Sequence, residues 1–283
     1  MKKLSALLLS LLMIFALAAC GTTTPPPAEG DETGDRPTLR VAMECAYAPY
    51  NWSQPTDANG AVPIAGSSDY AYGYDVMMAK LIAEELGYDL EIVKLGWNGI
   101  IPAIQAGTVD VGICGQSITP DRLESVDFTD AYYYATIASL VRADGPYANA
   151  TSVADLAGAT VTSQLNTVWN DICLPQIADA NVLPGQESAP AMLTALTSGR
   201  VDVVVTDKPT AVSAASIDPT LKVLEFEGED DFEITKEAIT IAVSLKKGNN
   251  ELREAINGVL ATMTEEDFVR MMDEAMTLQP LSE

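Results

Sequence analysis

One arginine stands in a run of residues that suits the binding of a carboxylate. The stretch SITPDRLESVDFTDAYYY, residues 117–134, opens with hydroxyl side chains and soon reaches Arg122. Thr119 is a good N-cap and Pro120 suits the first helical position, so a short helix is predicted to start there. A cation in the first turn opposes the helix dipole, and a bound negative group would compensate it. A neighbouring acid on the helix, such as Glu124, is the alternative partner.

A pattern of helix, glycine and strand occurs twice in the chain. The segments AIQAGTVDVGICG (residues 103–115) and ALTSGRVDVVVTD (residues 195–207) share one spacing of alanine, glycine and Val-Asp-Val. The repeat indicates two related α/β lobes, although chance similarity between helix-to-strand joints is the alternative. In open α/β sheets, ligands bind beyond the carboxyl ends of the strands, so residues after both strands would face one cleft. These residues are Cys114, Gly115, Gln116, Ser117, Thr119, Thr206 and Asp207.

Asp207 supplies a negative charge that complements Arg122 across this expected cleft. Its carboxylate suits an ammonium group, whereas the arginine suits a carboxylate. Both charges of an α-amino acid would therefore find a partner. Asp207 also precedes Lys208 and Pro209, so it could instead do no more than cap a helix that begins there.

Composition excludes several kinds of function. The chain of 283 residues has 16 basic and 40 acidic side chains, which gives a formal net charge of -24. Such a surface repels nucleic acid and anionic lipid head groups, so we expect no nucleic-acid partner. The chain has no histidine, which removes Ser-His-Asp and Cys-His catalysis and every histidine-ligated metal site. We expect neither a metal nor another cofactor.

The N-terminus is typical of a targeting segment. Two lysines precede an apolar stretch at residues 4–19, which has the length of a signal-peptide core. The motif LAACG resembles the lipobox of bacterial lipoprotein signal peptides, and the resemblance implies cleavage before Cys20 and a lipid on its sulfur. We therefore expect a signal peptide at 1–19, a lipid-anchored disordered tether at 20–37 and an extracytoplasmic protein held on the cell membrane. An ordinary signal peptide or a short anchor is the alternative.

The three remaining cysteines have no metal-binding spacing. Cys45 and Cys114 each end an apolar, strand-like run, and Cys173 lies apart from both. All three could be small buried hydrophobic residues, or Cys45 and Cys114 could form a disulfide. A functional thiol is a weaker alternative.

From residue 39 onward, short apolar runs alternate with helical patterns. TLRVAMEC, DLEIVKL and VDVGIC are typical of strands, while DVMMAKLIAEELG and NGIIPAIQAG are typical of helices. Asp75 is the expected cap of the first of these helices, and Gly87 is its expected stop. Short connections between such units are the signature of an α/β fold.

Five stretches occur in an order and spacing typical of one protein family. They are YAPYNW, YGYDVMMAKLIAEELG, WNGIIPAIQAGTVDV, SITPDRLESVDFTDAYY and ITIAVSLKKGNNELREAINGVL. Over residues 39–276 the chain resembles the polar amino-acid solute-binding proteins that serve ABC importers. The resemblance implies a two-lobed type II periplasmic-binding-protein fold, in which two doubly wound α/β sheets are joined by two hinge strands.

The resemblance also implies where each lobe begins and ends. The first lobe would be discontinuous and comprise residues 38–140 and 238–283, and the second would comprise residues 141–237. Two strands, near residues 136–142 and 237–245, would cross between the lobes.

The function that the resemblance implies is capture of an L-amino acid by closure of the two lobes, followed by delivery to an ABC permease and its ATPase. Capture needs no covalent chemistry, so we expect a monomeric binder and not an enzyme. The same fold hosts dehydratases that act on cyclic amino acids such as arogenate, and also ligand sensors. A dehydratase needs a positioned acid or base, for which Glu44 or Asp207 is conceivable.

The family pattern assigns the amino-acid backbone to one group of residues. By resemblance, Arg122 would hold the α-carboxylate with two hydrogen bonds, and Asp207 would bind the α-ammonium. Ser117, Thr119 and the backbone around Gly115 would add hydrogen bonds to both groups.

A second loop of the family pattern is altered in this chain. The family usually has a small glycine-containing turn that donates N–H groups to the carboxylate, and SQLNTVW occupies this position. Asn166 and Thr167 are expected to contact the ligand here. Leu165 replaces the usual glycine, so the backbone geometry of the turn is in question.

Three residues are expected to contact the ligand side chain. Tyr47 and Trp97 occupy the positions of an aromatic pair that would enclose it, and Glu44 occupies the position of an acid that would bind its tip. Both aromatic residues could instead belong to the core. A basic or polar side chain suits this set. Residues 53–73 are expected to lie beside the mouth of the cleft.

Overall fold

The computed structural model describes residues 36–279. The expected signal peptide, the lipidation site at Cys20 and nearly all of the expected tether lie outside the described residues, as do residues 280–283. The strands are β1 (Thr38–Met43), β2 (Ala46–Tyr47), β3 (Asn51–Gln54), β4 (Val62–Pro63), β5 (Tyr70–Tyr72), β6 (Asp89–Lys94), β7 (Val111–Gly112), β8 (Val126–Tyr134), β9 (Ile137–Arg142), β10 (Thr160–Thr162), β11 (Asn181–Val182), β12 (Val203–Asp207), β13 (Leu221–Leu224) and β14 (Thr240–Lys246). The α-helices are α1 (Tyr74–Glu85), α2 (Ile100–Ala106), α3 (Pro120–Ser125), α4 (Ala189–Thr197), α5 (Lys208–Ile217), α6 (Asn250–Leu260) and α7 (Glu265–Leu278).

Five strands form the first sheet, in the order β6-β1-β7-β14-β8. β1 lies parallel to both β6 and β7, and β14 runs antiparallel to β7 and β8. Residues Val41, Ala42 and Met43 of β1 are fully buried. Such a continuous apolar run is typical of a central parallel strand that is covered on both faces.

The second sheet has the order β11-β10-β12-β9-β13 and repeats the arrangement of the first. β12 lies parallel to β10 and antiparallel to β9, as β7 does relative to β1 and β14. The repeated sequence pattern occupies equivalent places in the two sheets. Gly107 (φ 73°) follows α2 and Gly199 (φ 74°) follows α4, and each turns the chain toward its strand. The predicted two-lobed α/β fold is confirmed.

The chain crosses between the two sheets twice. It leaves the first sheet after β8 and enters the second at β9, so Ala135 and Thr136 make the first crossing. It returns between β13 and β14, and the two crossings meet where the Ala135 N–H donates to the Ile239 carbonyl at 2.9 Å. The expected hinge strands do not themselves cross, because β9 and β14 each pair within one sheet. The boundary expected at residues 140 and 141 falls inside β9, and we propose the change of lobe at Ala135 and Thr136 instead.

A third, four-stranded sheet is built largely from residues 53–73 and has the order β2-β3-β5-β4. It is tied to the first lobe where Ile64 bridges Ile92 of β6 and where the Lys80 ammonium donates to the Gly60 carbonyl at 2.8 Å. None of residues 53–73 lines the two cleft cavities described below. The expectation that this segment lies beside the mouth of the cleft stays a prediction.

The helix α1 begins at Tyr74, and Asp75 is not its cap. The carboxylate of Asp75 is buried and accepts hydrogen bonds from the Asn51 amide at 2.7 Å and the Tyr132 hydroxyl at 2.8 Å. Burial raises the pKa of Asp75 to about 6, although both hydrogen bonds oppose this rise. The residue therefore lies in the first turn of α1 as part of a buried polar network and does not cap the helix.

The cysteine alternatives are resolved for the described part of the chain. Cys45, Cys114 and Cys173 are all buried, and no two of them are bonded to each other. They pack as small apolar side chains, which is one of the three alternatives left open by the sequence. Burial raises the pKa of the Cys45 thiol to about 12, so this thiol is not poised to react.

Candidate ligand-binding site

The two lobes meet around a small inner cavity at the carboxyl ends of their strands. Its volume is about 10 Å³, which is roughly the space for one water molecule. Direct contacts between the lobes surround it, so the cleft is closed in this structure. The residues that line the inner cavity are Glu44, Tyr47, Trp97, Gly115, Ser117, Arg122, Gln164, Thr167 and Trp169.

Arg122 lies in the first turn of α3, as the sequence predicts. The hydroxyl of Thr119 caps this helix by accepting from the Arg122 backbone N–H at 3.3 Å. The guanidinium donates to the Ser117 carbonyl at 2.6 Å and to the Asn166 carbonyl, on the other lobe, at 2.8 Å. Its central carbon lies 5.2 Å from the centre of the Trp97 ring, within cation–π range.

The charge of Arg122 has no carboxylate partner within residues 36–279. The alternative in which a neighbouring acid on the same helix pairs with it is not observed. Burial lowers the pKa of Arg122 to about 10, so the side chain stays protonated at neutral pH. The site therefore presents a cation whose observed acceptors are two main-chain carbonyls.

Asp207 both caps a helix and faces the cleft. One carboxylate oxygen accepts from the Thr210 backbone N–H at 2.9 Å and so caps α5. The other oxygen accepts a hydrogen bond from the Tyr47 hydroxyl of the opposite lobe. Asp207 is 1% exposed, and burial raises the pKa of its carboxyl while these hydrogen bonds lower it. The two roles considered from the sequence are compatible.

Glu44 makes a further contact between the lobes. Both of its carboxylate oxygens accept from the side-chain amide of Gln164, at 3.1 and 3.2 Å. Glu44 is buried, which raises the pKa of its carboxyl to about 7, and the hydrogen bond from Gln164 opposes this rise. The carboxyl therefore changes its protonation near neutral pH.

The altered loop of the second lobe keeps a tight turn in spite of Leu165. The residue with left-handed backbone is Asn166, whose φ is 56°, and asparagine tolerates that region well. The Asn166 amide donates to Asn98 of the first lobe at 2.7 Å. The Thr167 hydroxyl donates to the Gln164 carbonyl at 2.7 Å and closes the turn. A Cβ atom on Gly185 would lie 2.7 Å from Cβ of Leu165, so glycine makes room for the larger residue.

Gly115 is required by its conformation and by its neighbours. Its φ is 64°, and an added Cβ would lie 2.9 Å from the ring of Tyr47. Its N–H donates to the Tyr132 hydroxyl at 3.1 Å, and that hydroxyl donates in turn to Asp75. The buried network around Asp75 therefore supports the loop that lines the inner cavity.

A larger outer chamber lies on the other side of Arg122. Its volume is about 440 Å³, and Trp97, Arg122 and Thr167 line both spaces, so these three side chains form the wall between them. Gln116 lines the outer chamber and is 2% exposed. The complete lining is Trp97, Asn98, Ile101, Gln116, Thr119, Pro120, Asp121, Arg122, Ser125, Asn166, Thr167, Val168, Asp171 and Ile172.

Most of the site residues predicted from the sequence come together at the cleft. Cys114 is fully buried and lines neither space, and Asp207 is separated from the inner cavity by Tyr47. Sequence reasoning missed Gln164 and Trp169. Gln164 follows β10 as Gly115 and Ser117 follow β7, so its place after a strand was the signal that could have found it.

The described residues contain no group of three or more histidine, cysteine or acidic side chains that could hold a metal ion. Between residues 36 and 279, every helix is too short or too polar to cross a membrane.

Comparison with known proteins places this geometry among binding proteins. The arginine-binding extracellular protein ArtP of Bacillus subtilis is 30% identical over 171 residues, which span 60% of this chain and 59% of that protein. The histidine-binding periplasmic protein of Salmonella typhimurium is 28% identical over 268 residues, which span 93% of this chain and 92% of that protein. An amino-acid ABC transporter substrate-binding protein from Streptococcus pneumoniae, solved with L-arginine bound, superposes with a TM-score of 0.74 at 27% identity and covers 86% of this chain and 95% of that one.

The family model for bacterial extracellular solute-binding proteins, family 3, matches residues 39–274. This match spans the two five-stranded sheets and includes every residue that lines the inner cavity. The chain belongs to the bacterial extracellular solute-binding proteins of family 3.

Proposed function

We propose that this protein captures an L-amino acid between its lobes and delivers it to an ABC importer. The observation that carries the proposal is the placement of Arg122 and Asp207 at one closed cleft, on opposite lobes. A cation on one side of the cleft and a buried carboxyl group on the other match the two charges of a zwitterion. The two relatives named above, an arginine-binding and a histidine-binding protein, support the same class of ligand.

Capture would proceed from an opened form, because the inner cavity has space for only about one water. The crossings at Ala135–Thr136 and at residues 225–239 would act as the hinge. The ligand ammonium would replace the Tyr47 hydroxyl at Asp207, and the ligand carboxylate would meet unused donors of Arg122. Closure around the ligand would then be favoured by its contacts with both lobes.

The side chain of the ligand would point toward Glu44 and Gln164. An ionised Glu44 favours a cationic tip, and Trp97 supplies an aromatic face along the stem. A protonated Glu44 and the Gln164 amide would instead suit a neutral polar tip. We therefore propose arginine, histidine and related basic or polar amino acids as the ligands.

Anchoring and partners follow from the proposed role. A lipid on Cys20 would hold the protein outside the cytoplasm, on the membrane that contains the ABC permease and its ATPase. A monomer that binds its ligand without catalysing a reaction is sufficient for delivery. The two relatives and the solved structure named above are all binding proteins, which supports this role.

The proposal is tested by calorimetric titration with ligands that lack one charge at a time. L-Arginine, L-histidine, L-glutamine and L-cystine would be compared with the carboxamide and the N-acetyl derivative of whichever binds. We expect each loss of charge to weaken binding by a factor on the order of 100, because the buried partner is left unpaired. Equal affinity for the free amino acid and for both of its derivatives would refute the proposal that the site binds both charges of a zwitterion.

A further inference from the structure

Glu44 and Gln164 meet across the cleft at the inner cavity. Glu44 directly follows β1 of the first lobe, and Gln164 follows β10 of the second. Both carboxylate oxygens of Glu44 accept from the side-chain amide nitrogen of Gln164, at 3.1 and 3.2 Å. Each residue is 5% exposed. One amide group of the protein therefore pairs with both oxygens of a carboxyl group in a place that is almost closed to water.

The position of Gln164 is fixed by its own loop. The Leu165 N–H donates to the Gln186 carbonyl at 2.9 Å, and the Thr167 hydroxyl donates to the Gln164 carbonyl at 2.7 Å. These two bonds hold the main chain beside Gln164, so the second lobe keeps the amide directed toward Glu44.

Glu44 has no cationic partner among residues 36–279. Arg122 lines the inner cavity with Glu44 but forms no ion pair with it. Lys94 and Glu187 line a space of about 540 Å³ on the other side of Glu44. The Lys94 ammonium donates to the Ser53 hydroxyl at 2.9 Å and not to this carboxylate.

The other titratable groups around Glu44 carry no charge at neutral pH. Burial raises the pKa of Cys45 to about 12, and it raises the pKa values of Cys114 and Tyr47 well above their ordinary values. A buried carboxyl group without a cation is more stable in its neutral form. The charge of Glu44 therefore depends on the pH and on the group that a ligand brings to it.

The tip of the ligand side chain determines which form of Glu44 is favoured. A guanidinium beside an ionised Glu44 forms a charge-assisted hydrogen-bonded pair. The same guanidinium beside a protonated Glu44 is a buried cation without an anion, which is unfavourable. A neutral amide or urea tip has no such penalty and can bond to the protonated carboxyl group and to Gln164.

We propose that Glu44 and Gln164 together determine the specificity of the site, which prefers cationic side chains when Glu44 is ionised and neutral polar side chains when Glu44 is protonated. This inference rests on the proposed function, because it concerns the side chain of the same amino-acid ligand. Gln164 is a positioning residue, because its amide holds the carboxyl group of Glu44 and favours the ionised form. The preferred class of amino acid therefore changes with the pH outside the cell.

The test compares L-arginine with L-citrulline, which has a side chain of the same length and a neutral urea tip. Calorimetric titration of the whole protein would give both affinities between pH 5 and pH 8. The two ligands have the same α-ammonium and α-carboxylate groups, so protonation of Asp207 or Asp75 affects both affinities alike and cancels in their ratio. The pKa of Glu44 is about 7. We expect the ratio of arginine affinity to citrulline affinity to rise about 100-fold from pH 5 to pH 8, mostly below pH 7.

The outcomes separate this inference from the proposed function. A rise of less than tenfold overturns the pH-dependent specificity and leaves amino-acid capture standing. The same holds if neither arginine nor citrulline binds while another amino acid does. If no amino acid binds at any pH, both the inference and the proposed function are wrong.

Three variants test the roles of the two residues. Glu44→Gln cannot ionise, so its affinity ratio should change by less than threefold over the same pH range. Gln164→Leu removes the hydrogen bond that favours the ionised carboxyl group, so the rise in the ratio should move to higher pH. Glu187→Gln removes an exposed carboxylate on the far side of Glu44, and this control should keep the pH dependence of the parent.

A purely structural role for Gln164 would change both affinities without moving the pH at which their ratio changes. An unmoved transition in Gln164→Leu, or a pH dependence that persists in Glu44→Gln, would overturn the inference.

Discussion

The hydroxyl of Tyr47 donates a hydrogen bond to the carboxylate of Asp207 across the cleft between the lobes. The ring of Tyr47 is held in place by Tyr50, with which it stacks at a centroid distance of 5.0 Å and an interplanar angle of 10°. Asp207 is the residue expected to bind the ligand ammonium, so the protein supplies its own donor at that position in the closed form. Ligand binding must therefore compete with an internal hydrogen bond.

Removal of this internal donor should strengthen ligand binding. In Tyr47→Phe the ring and its stacking remain, but the ligand ammonium no longer displaces a hydroxyl from Asp207. A hydrogen bond has a net value of about 1 kcal/mol, so we expect affinity to rise about fivefold in calorimetric titration. Tyr88→Phe, a change outside the cleft cavities, is the control. Weaker binding by Tyr47→Phe would show that the hydroxyl contacts the ligand.

Loss of the cleft cation should abolish ligand capture without unfolding the protein. Arg122→Ala leaves the ligand carboxylate buried and unpaired, which costs about 3 to 5 kcal/mol, or about 150-fold to 5,000-fold in affinity. Arg253→Ala removes an arginine of α6 that pairs with Glu254 on the surface, and it is the matched control. If the Arg122→Ala variant binds the ligand with an affinity within tenfold of that of the parent protein, the role assigned to Arg122 is wrong.

Glu44 should make stability depend on pH in a defined window. Its pKa is about 7 in the folded chain and 4.5 in its ordinary state, so folding favours the protonated form. The free energy of unfolding should therefore fall as pH rises from about 4.5 to 7, with a contribution from this group on the order of 3 kcal/mol.

The variant Glu44→Gln isolates that contribution. It keeps the size of the side chain and cannot ionise, so its urea-unfolding free energy should fall less between pH 4.5 and 7 than that of the parent. Asp75 and Asp207, whose pKa values are also raised by burial, contribute equally to both proteins. Parallel pH curves for parent and variant would show that Glu44 does not titrate in this window.

Gly115 should be intolerant of a single methyl group. Gly115→Ala places a Cβ atom at a φ of 64° and against the Tyr47 ring, so we expect a loss of about 1 to 2 kcal/mol in unfolding free energy. Gly258→Ala is the control, because Gly258 lies inside α6 and nothing is within 4 Å of its added Cβ. Chemical denaturation should show the control to be at least as stable as the parent. Equal stability of the two variants would contradict the strain at Gly115.

Local patterns predicted the elements around the site well. The Thr119–Pro120 signal marks the start of α3, and the repeated glycine-to-strand joints mark the two lobes, because both depend on backbone conformation that few residues allow. The pattern failed at Asp75. A buried acid and a helix-capping acid look alike in sequence, and only the partners Asn51 and Tyr132 distinguish them.

Contacts between residues far apart in the chain could not be predicted from the sequence. The pairing of Glu44 with Gln164, and of Tyr47 with Asp207, joins residues far apart in the chain across a cleft whose closure depends on both lobes. The sequence does not locate the crossing points within these segments, because a strand that pairs in one sheet has the same apolar pattern as one that spans two.

The most direct test of amino-acid capture is a thermal-unfolding series of the purified protein against the common L-amino acids, ornithine and cystine. A ligand present at 1,000 times its dissociation constant adds about 4 kcal/mol to stability, which raises the unfolding midpoint by several degrees. We predict such a rise with one or a few basic or polar amino acids. If no amino acid raises the midpoint, even after unfolding and refolding to remove a co-purified ligand, the protein does not capture free amino acids and the central proposal is wrong.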